Sequence, residues 1–168
     1  MFTKITLENF RSFDHIELDL TEKGNTAKHL AILYGENGAG KSNLMSAFVL
    51  LPELTRTMDA RAAYERILAQ GAIFQDENME KEMREHIRQR LRDMSAIIKD
   101  YQMADCENPI IAEYEFNIDG NNGCYRVEFG QDEILHERLE FVLNRRRGLY
   151  FDCSVTGINI NDSIVEKE

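Results

Sequence analysis

The run Gly35-Glu36-Asn37-Gly38-Ala39-Gly40-Lys41-Ser42 is a full G-x-x-x-x-G-K-[ST] motif, and nothing else in the chain restricts its fold so narrowly. A loop of this kind works where a buried strand hands the chain over to the N-terminus of a helix. Its flanks have the matching composition. Leu30-Ala31-Ile32-Leu33-Tyr34 is a continuous apolar run that predicts a buried central strand, and Leu44, Met45, Phe48 and Leu51 recur at helical spacing after the lysine. Glycines at 35, 38 and 40 admit positive-φ backbone, so the loop amides can turn inward around phosphate oxygens. The helix start adds unpaired amides and a partial positive charge. Lys41, the candidate catalytic residue, brings a full charge to the β- and γ-phosphates, and the Ser42 hydroxyl is the expected Mg²⁺ ligand. The pattern predicts a site for a nucleoside triphosphate and magnesium.

With 168 residues, the chain has material for one domain core. The N-terminus lacks an apolar stretch of signal-peptide length, and no run approaches a membrane span, which predicts a cytoplasmic chain without a membrane partner. Cys106, Cys124 and Cys153 are too few and too scattered for a disulfide framework or metal cage, and the four histidines have no ligand spacing. A formal net charge of −10 argues against a surface that coats nucleic acid, so any DNA contact must be local. Arg145-Arg146-Arg147 is the one compact basic run; it reads as a polar turn between strands, with a phosphate-contacting patch as the alternative.

Periodicity divides the chain into four stretches. Residues 1–51 read as an N-terminal hairpin followed by the loop strand and helix: Ile5 and Leu7 alternate with polar residues, as do Ile16, Leu18 and Leu20. Asn9 to Asp14 connects the two strands, and Thr21 to Thr26 is the next turn. The helix after the loop is expected to end at or before Leu51, because Pro52 disfavours helical geometry in the residue before it. Residues 52–108 read as a helical insert, in which Met79, Met83, Ile87, Leu91, Met94, Ile98 and Tyr101 draw one apolar stripe for packing within the domain. Residues 109–160 change to a period of two. They predict an antiparallel meander of four strands, with a tight turn at Gly120-Asn121-Asn122-Gly123, and 161–168 form a polar tail.

Two segments in order, Leu-Glu-Asn-Phe-Arg-Ser-Phe from Leu7 and Tyr-Gly-Glu-Asn-Gly-Ala-Gly-Lys-Ser-Asn from Tyr34, resemble the ABC-type ATPase heads of the SMC, RecF and OLD-like families. The meander, with Tyr-Arg-Val-Glu-Phe, Glu-Arg-Leu and Leu-Tyr-Phe-Asp, is similar to that of bacterial AAA-type ATPases of the OLD-like group, several of which act in phage defence. The resemblance implies an α/β fold: a P-loop NTPase lobe of ABC-ATPase-head type, with a mixed sheet around the P-loop helix plus the C-terminal antiparallel β-meander. It implies ATP and Mg²⁺ as cofactors, and phosphate contacts from Gly35, Asn37, Gly38, Ala39, Gly40, Lys41 and Ser42 with an adjoining one from Asn43. It further implies a nucleotide-facing role for Arg11 and Ser12, a head-to-head homodimer and a link to DNA processing.

Those families hydrolyse ATP with a second set of motifs, which this sequence does not show. Leu149-Tyr150-Phe151-Asp152 is the nearest imitation of an apolar run ending in Asp-Glu, but Cys153 stands where the general-base glutamate would be. Gln75 is a candidate for a magnesium-contacting glutamine, with nothing to fix its position. Binding and charge neutralisation are present, while a positioned water and base must come from a C-terminal ATPase half or a partner subunit. The competing readings are a stand-alone P-loop phosphotransferase of kinase type and a non-catalytic, nucleotide-dependent interaction module.

Overall fold

Alternating apolar residues in the first and last thirds of the chain need a common partner surface, and they find it in one another. The computed structural model describes residues 1–22, 26–54, 94–131, 133–143 and 146–161. Within them lie strands β1 (Phe2–Phe10), β2 (Phe13–Asp19), β3 (Ile110–Ile118), β4 (Asn121–Phe129), β5 (Ile134–Leu143), β6 (Arg146–Ser154) and β7 (Gly157–Ile160). Residues 41–54 form helix α1, and Met94–Tyr101 form α2. The seven strands make one sheet in the order β2-β1-β3-β4-β5-β6-β7, with every pair antiparallel. The hairpin and the meander are thus one layer, joined where Leu7 pairs with Ala112 and Ile5 with Tyr114.

Period-two alternation gives the sheet two unlike faces. On one, Ile5, Leu7, Ala112, Tyr114 and Val127 are fully buried beneath Leu44, Ala47, Leu50 and Leu54 of α1 and Ile97 and Ile98 of α2. The buried Tyr114 hydroxyl donates to the Ala47 carbonyl at 2.7 Å, tying β3 to the middle of α1. The other face is polar. Thr6, Glu113, Arg126, Arg138 and Asp152 follow one another across the strands in register.

Several expectations are corrected. The mixed sheet around the P-loop helix is not found: among the described residues, no strand pairs with Leu30 to Tyr34. A buried parallel-type strand needs neighbours on both edges to satisfy its backbone, and the antiparallel sheet offers it none. Leu30, Ile32 and Tyr34 are 75%, 74% and 91% exposed. Helix α1 runs past Leu51 and through Pro52, because the extra turn buries Leu54 in the core and lets Glu53 accept a hydrogen bond from the Tyr101 hydroxyl. Its buried face is Leu44, Ala47, Leu50 and Leu54, leaving Met45 outside at 52% exposure. The β3–β4 turn is Asp119-Gly120, both at positive φ, with Asn121 to Gly123 already in β4. The meander has a fifth strand, β7, and Arg146 and Arg147 begin β6 rather than lying in the turn. Arg145, residues 55–93 and the tail beyond Asn161 lie outside the described residues, and with them Gln75 and the stripe from Met79 to Leu91. The rest of that stripe packs inward, with Ile98 and Tyr101 buried and Met94 against the core.

Candidate functional site

The glycine loop sits on the surface at the N-terminus of α1, held from below by the β1–β2 connection. Residues 30–39 are exposed throughout, so the loop is open to a ligand. Gly38 and Gly40 have φ of 89° and 83°, a region that side chains with a Cβ rarely enter. A Cβ on Gly38 would meet nothing within 4 Å, whereas one on Gly40 would lie 2.6 Å from Phe13 Cζ and 3.3 Å from Ser12 Oγ. Gly40 is therefore required by packing as well as by backbone geometry. The Leu44 amide donates to the Gly40 carbonyl at 2.9 Å, closing the first turn of α1. The amides ahead of that turn have no partner within the helix, and they face the loop with the positive end of the helix dipole.

Lys41 lies half-buried in the loop. Its ammonium donates to the carbonyl oxygens of Gly35 at 2.7 Å and Glu36 at 2.6 Å, so the charge is held against the loop backbone. The Ser42 side chain is exposed one residue further on, and Ala39 N–H donates to Glu36 O at 3.3 Å. Asn43 reaches back: its Nδ2 donates to the Ser12 hydroxyl at 2.8 Å. Thus Ser12 and Phe13 both touch the loop or its helix, and the two motifs separated in the sequence form one structural unit.

Arg11 is placed differently. Its guanidinium lies over the Tyr101 ring, 4.9 Å from the centroid, and its backbone N–H donates to the Tyr101 carbonyl at 2.8 Å. The Arg11 Nε is buried and has no hydrogen-bond partner. Tyr101 and Phe13 were visible in the sequence only as a stripe residue and a turn aromatic; neither periodicity nor spacing distinguishes an aromatic that supports a site from one that fills a core.

Asp152 is an ordinary strand aspartate in its surroundings. It accepts from His136 at 2.6 Å and Arg138 at 3.0 Å on the polar face, opposite the face that carries α1. The His136 hydrogen bond is the largest of the influences that hold its carboxyl below the usual range. This face also bears a depression of about 440 Å³, where Glu113, Glu115 and Glu140 stand among Arg126, His136 and Arg138. Among the described residues, no group of three or more His, Cys, Asp or Glu is arranged to hold a metal ion, and no helix is long and apolar enough to cross a membrane.

Comparison with known proteins bears on the same segment. Residues 4–52, from β1 through the loop to α1, match the family model of an AAA domain. The chain is also 41% identical over 49 residues to the DNA replication and repair protein RecF of Bacillus mycoides (strain KBAB4). That alignment covers 29% of this chain and 12% of RecF, so the chain corresponds to a small part of its relative. Residues 4–52 thus carry an AAA-domain sequence similar to the N-terminal region of SMC/RecF-like ATPases.

Proposed function

We propose that this chain binds Mg·ATP through residues 35–43 and acts as the N-terminal half of an ABC/SMC-like ATPase whose hydrolytic residues are supplied by another polypeptide segment. The observation that carries the binding reading is the joint geometry of the loop: two positive-φ glycines, an open helix N-terminus and the Lys41 ammonium gathered in one exposed loop. Polyanions bind where donors are preorganised and little reorganisation is needed. Gly35, Asn37, Gly38 and Gly40 offer backbone donors, while the Ala39 amide is engaged by the Glu36 carbonyl; Lys41 supplies the charge and Asn43 an adjoining amide. Ser42 is exposed at the end of the loop where its hydroxyl could hold magnesium, which would complete its shell with water and phosphate oxygens. Bound there, the metal neutralises phosphate charge.

Incompleteness has its own support. Leu30, Ile32, Leu33 and Tyr34 form an exposed apolar segment leading into the loop, and Met45 and Val49 are half exposed on α1. Surface of this kind next to a phosphate site suits a second lobe that adds strands and covers it. Asp152 is occupied by His136 and Arg138 on the far face and does not serve as the missing acid. The similarity to RecF, a DNA replication and repair protein, together with the basic run at Arg145 to Arg147, supports DNA as a partner of the completed assembly. The test is binding of a fluorescent ATP analogue in the presence of Mg²⁺. Affinity should fall at least about tenfold in Lys41→Ala, consistent with the loss of a charge-assisted phosphate contact; equal affinity in the variant would refute the assignment.

A further inference from the structure

The β1–β2 connection is gripped from two sides. Toward the loop, Ser12 and Phe13 contact Asn43 and the space beside Gly40. Away from it, the end of α2 and the segment behind it hold the backbone in an unusual conformation. Asn9 and Arg11, neither of them glycine, have φ of 53° and 52°. Asparagine enters this region readily, but left-handed geometry at Arg11 persists only where the surroundings enforce it. Here Asn9 donates to the Pro109 carbonyl at 2.8 Å, the Met103 amide donates to the Asn9 carbonyl at 3.2 Å, and the Arg11 amide donates to the Tyr101 carbonyl.

Tyr101 is central to this clamp. It is 3% exposed, stacked on Phe10 with centroids 5.3 Å apart, and its hydroxyl donates to Glu53 of α1 at 3.0 Å. Its ring is therefore fixed on an edge and on a face, and the guanidinium of Arg11 rests on it. A planar cation on a rigid aromatic surface keeps its orientation, which an ammonium on a flexible stem would not. The buried Nε of Arg11 is a donor with no partner, an arrangement that is costly without an acceptor and that an anionic oxygen would relieve.

The geometry points to Tyr101 as a positioning residue for Arg11: its ring presents the guanidinium to the phosphates of the nucleotide, and through Tyr101 the end of α2 is fastened to the site. This rests on the Mg·ATP reading above. Tyr101 does not touch the nucleotide; it acts through Arg11.

The test measures binding of a fluorescent ATP analogue with Mg²⁺ to the full chain and to Lys41→Ala, Arg11→Ala, Arg11→Lys, Tyr101→Phe, Tyr101→Leu and Arg11→Ala/Tyr101→Leu, with a thermal melt of each. A cation–π contact of ordinary strength corresponds to roughly 3- to 30-fold in affinity. Arg11→Ala and Tyr101→Leu should each lose that much, the double variant no more than either, while Tyr101→Phe, which keeps the ring stacked on Phe10 but gives up the bond to Glu53, loses less than Tyr101→Leu. Arg11→Lys should bind about as weakly as Arg11→Ala, and this comparison decides the matter on its own if Tyr101→Leu does not fold. Full affinity in Tyr101→Leu, additive losses in the double variant, or full affinity in Arg11→Lys would each overturn the inference. So would wild-type binding by Arg11→Ala alongside loss in Lys41→Ala, and that result would leave the nucleotide site standing. Wild-type binding by Lys41→Ala would instead remove the reading on which the inference rests.

Discussion

Replacing Gly40 by alanine separates the two demands made on that residue. Holding a Cβ at φ of 83° costs on the order of 1–2 kcal/mol. The new carbon would also meet Phe13 Cζ at 2.6 Å, far inside contact distance, and forcing a ring out of a packed position costs about 1–3 kcal/mol more. Phe13 packs against the core, so it resists moving. The loop has a cheaper way out: shifting away from the β1–β2 connection sacrifices the exposed Asn43 to Ser12 hydrogen bond, about 1 kcal/mol net. The smaller cost decides the outcome. The backbone strain remains, so the loss totals about 2–3 kcal/mol, and the melting temperature should fall by roughly 4–12 °C for a chain of this size. Nucleotide affinity should fall much further, by more than about tenfold, because the loop amides no longer converge. Binding of a fluorescent ATP analogue and a thermal melt on the same sample give both numbers. The double variant Gly40→Ala/Phe13→Ala relieves the overlap but not the backbone strain, so it should recover part of the lost affinity and not all. Wild-type affinity in Gly40→Ala, or a melting temperature lowered by more than about 15 °C, would refute this reasoning.

Tyr114→Phe removes the buried hydroxyl that donates to the Ala47 carbonyl, so chemical denaturation should show about 1–2 kcal/mol of lost stability, and no loss would mean that β3 and α1 are not joined there. The folded-state pKa of Asp152 is depressed, so its contribution to stability is present above its unfolded value and disappears as pH falls through the folded one. Asp19, held down by the hydroxyl and amide of Thr21, acts with the same sign. Melting temperature should therefore be level above roughly pH 5 and fall below it, and Asp152→Asn should flatten the acid limb; an unchanged acid limb in that variant would show that the His136 and Arg138 contacts carry no weight.

Local periodicity made much of the sheet legible. Ile5 and Leu7 were marked as one face by alternation, and both are fully buried, as are Ala112 and Tyr114 in the period-two stretch. What alternation cannot carry is which strands meet. Leu7 finds Ala112 across more than a hundred residues, and only the shared need of two apolar faces brings them together. Local rules were also outweighed by burial: Pro52 should have stopped α1, but Leu54 beyond it gains a place in the core. The register shift between Leu139 and Glu140 adds Tyr150 to β6 and puts Leu149 opposite Glu140 but Phe151 opposite Leu139, so the two are not on one face as strict alternation implies. At the site, the glycine spacing announced the loop because phosphate geometry admits few alternatives. The Leu30 to Tyr34 run was equally apolar on paper, but an apolar run states a need for partners without supplying them, and the segment is exposed. Tyr101 was hidden for a related reason: a buried aromatic has the same signature whether it fills space or carries a guanidinium.

The central claim, a site that holds the nucleotide without the means to hydrolyse it alone, is tested most directly by measuring Mg·ATP binding and phosphate release on one preparation of the chain and its Lys41→Ala variant. Saturable binding by the wild type alone, with phosphate release no faster than in the variant, is the expected result. Multiple-turnover release by the wild type that Lys41→Ala abolishes would contradict it, since the chain would then contain its own hydrolytic base.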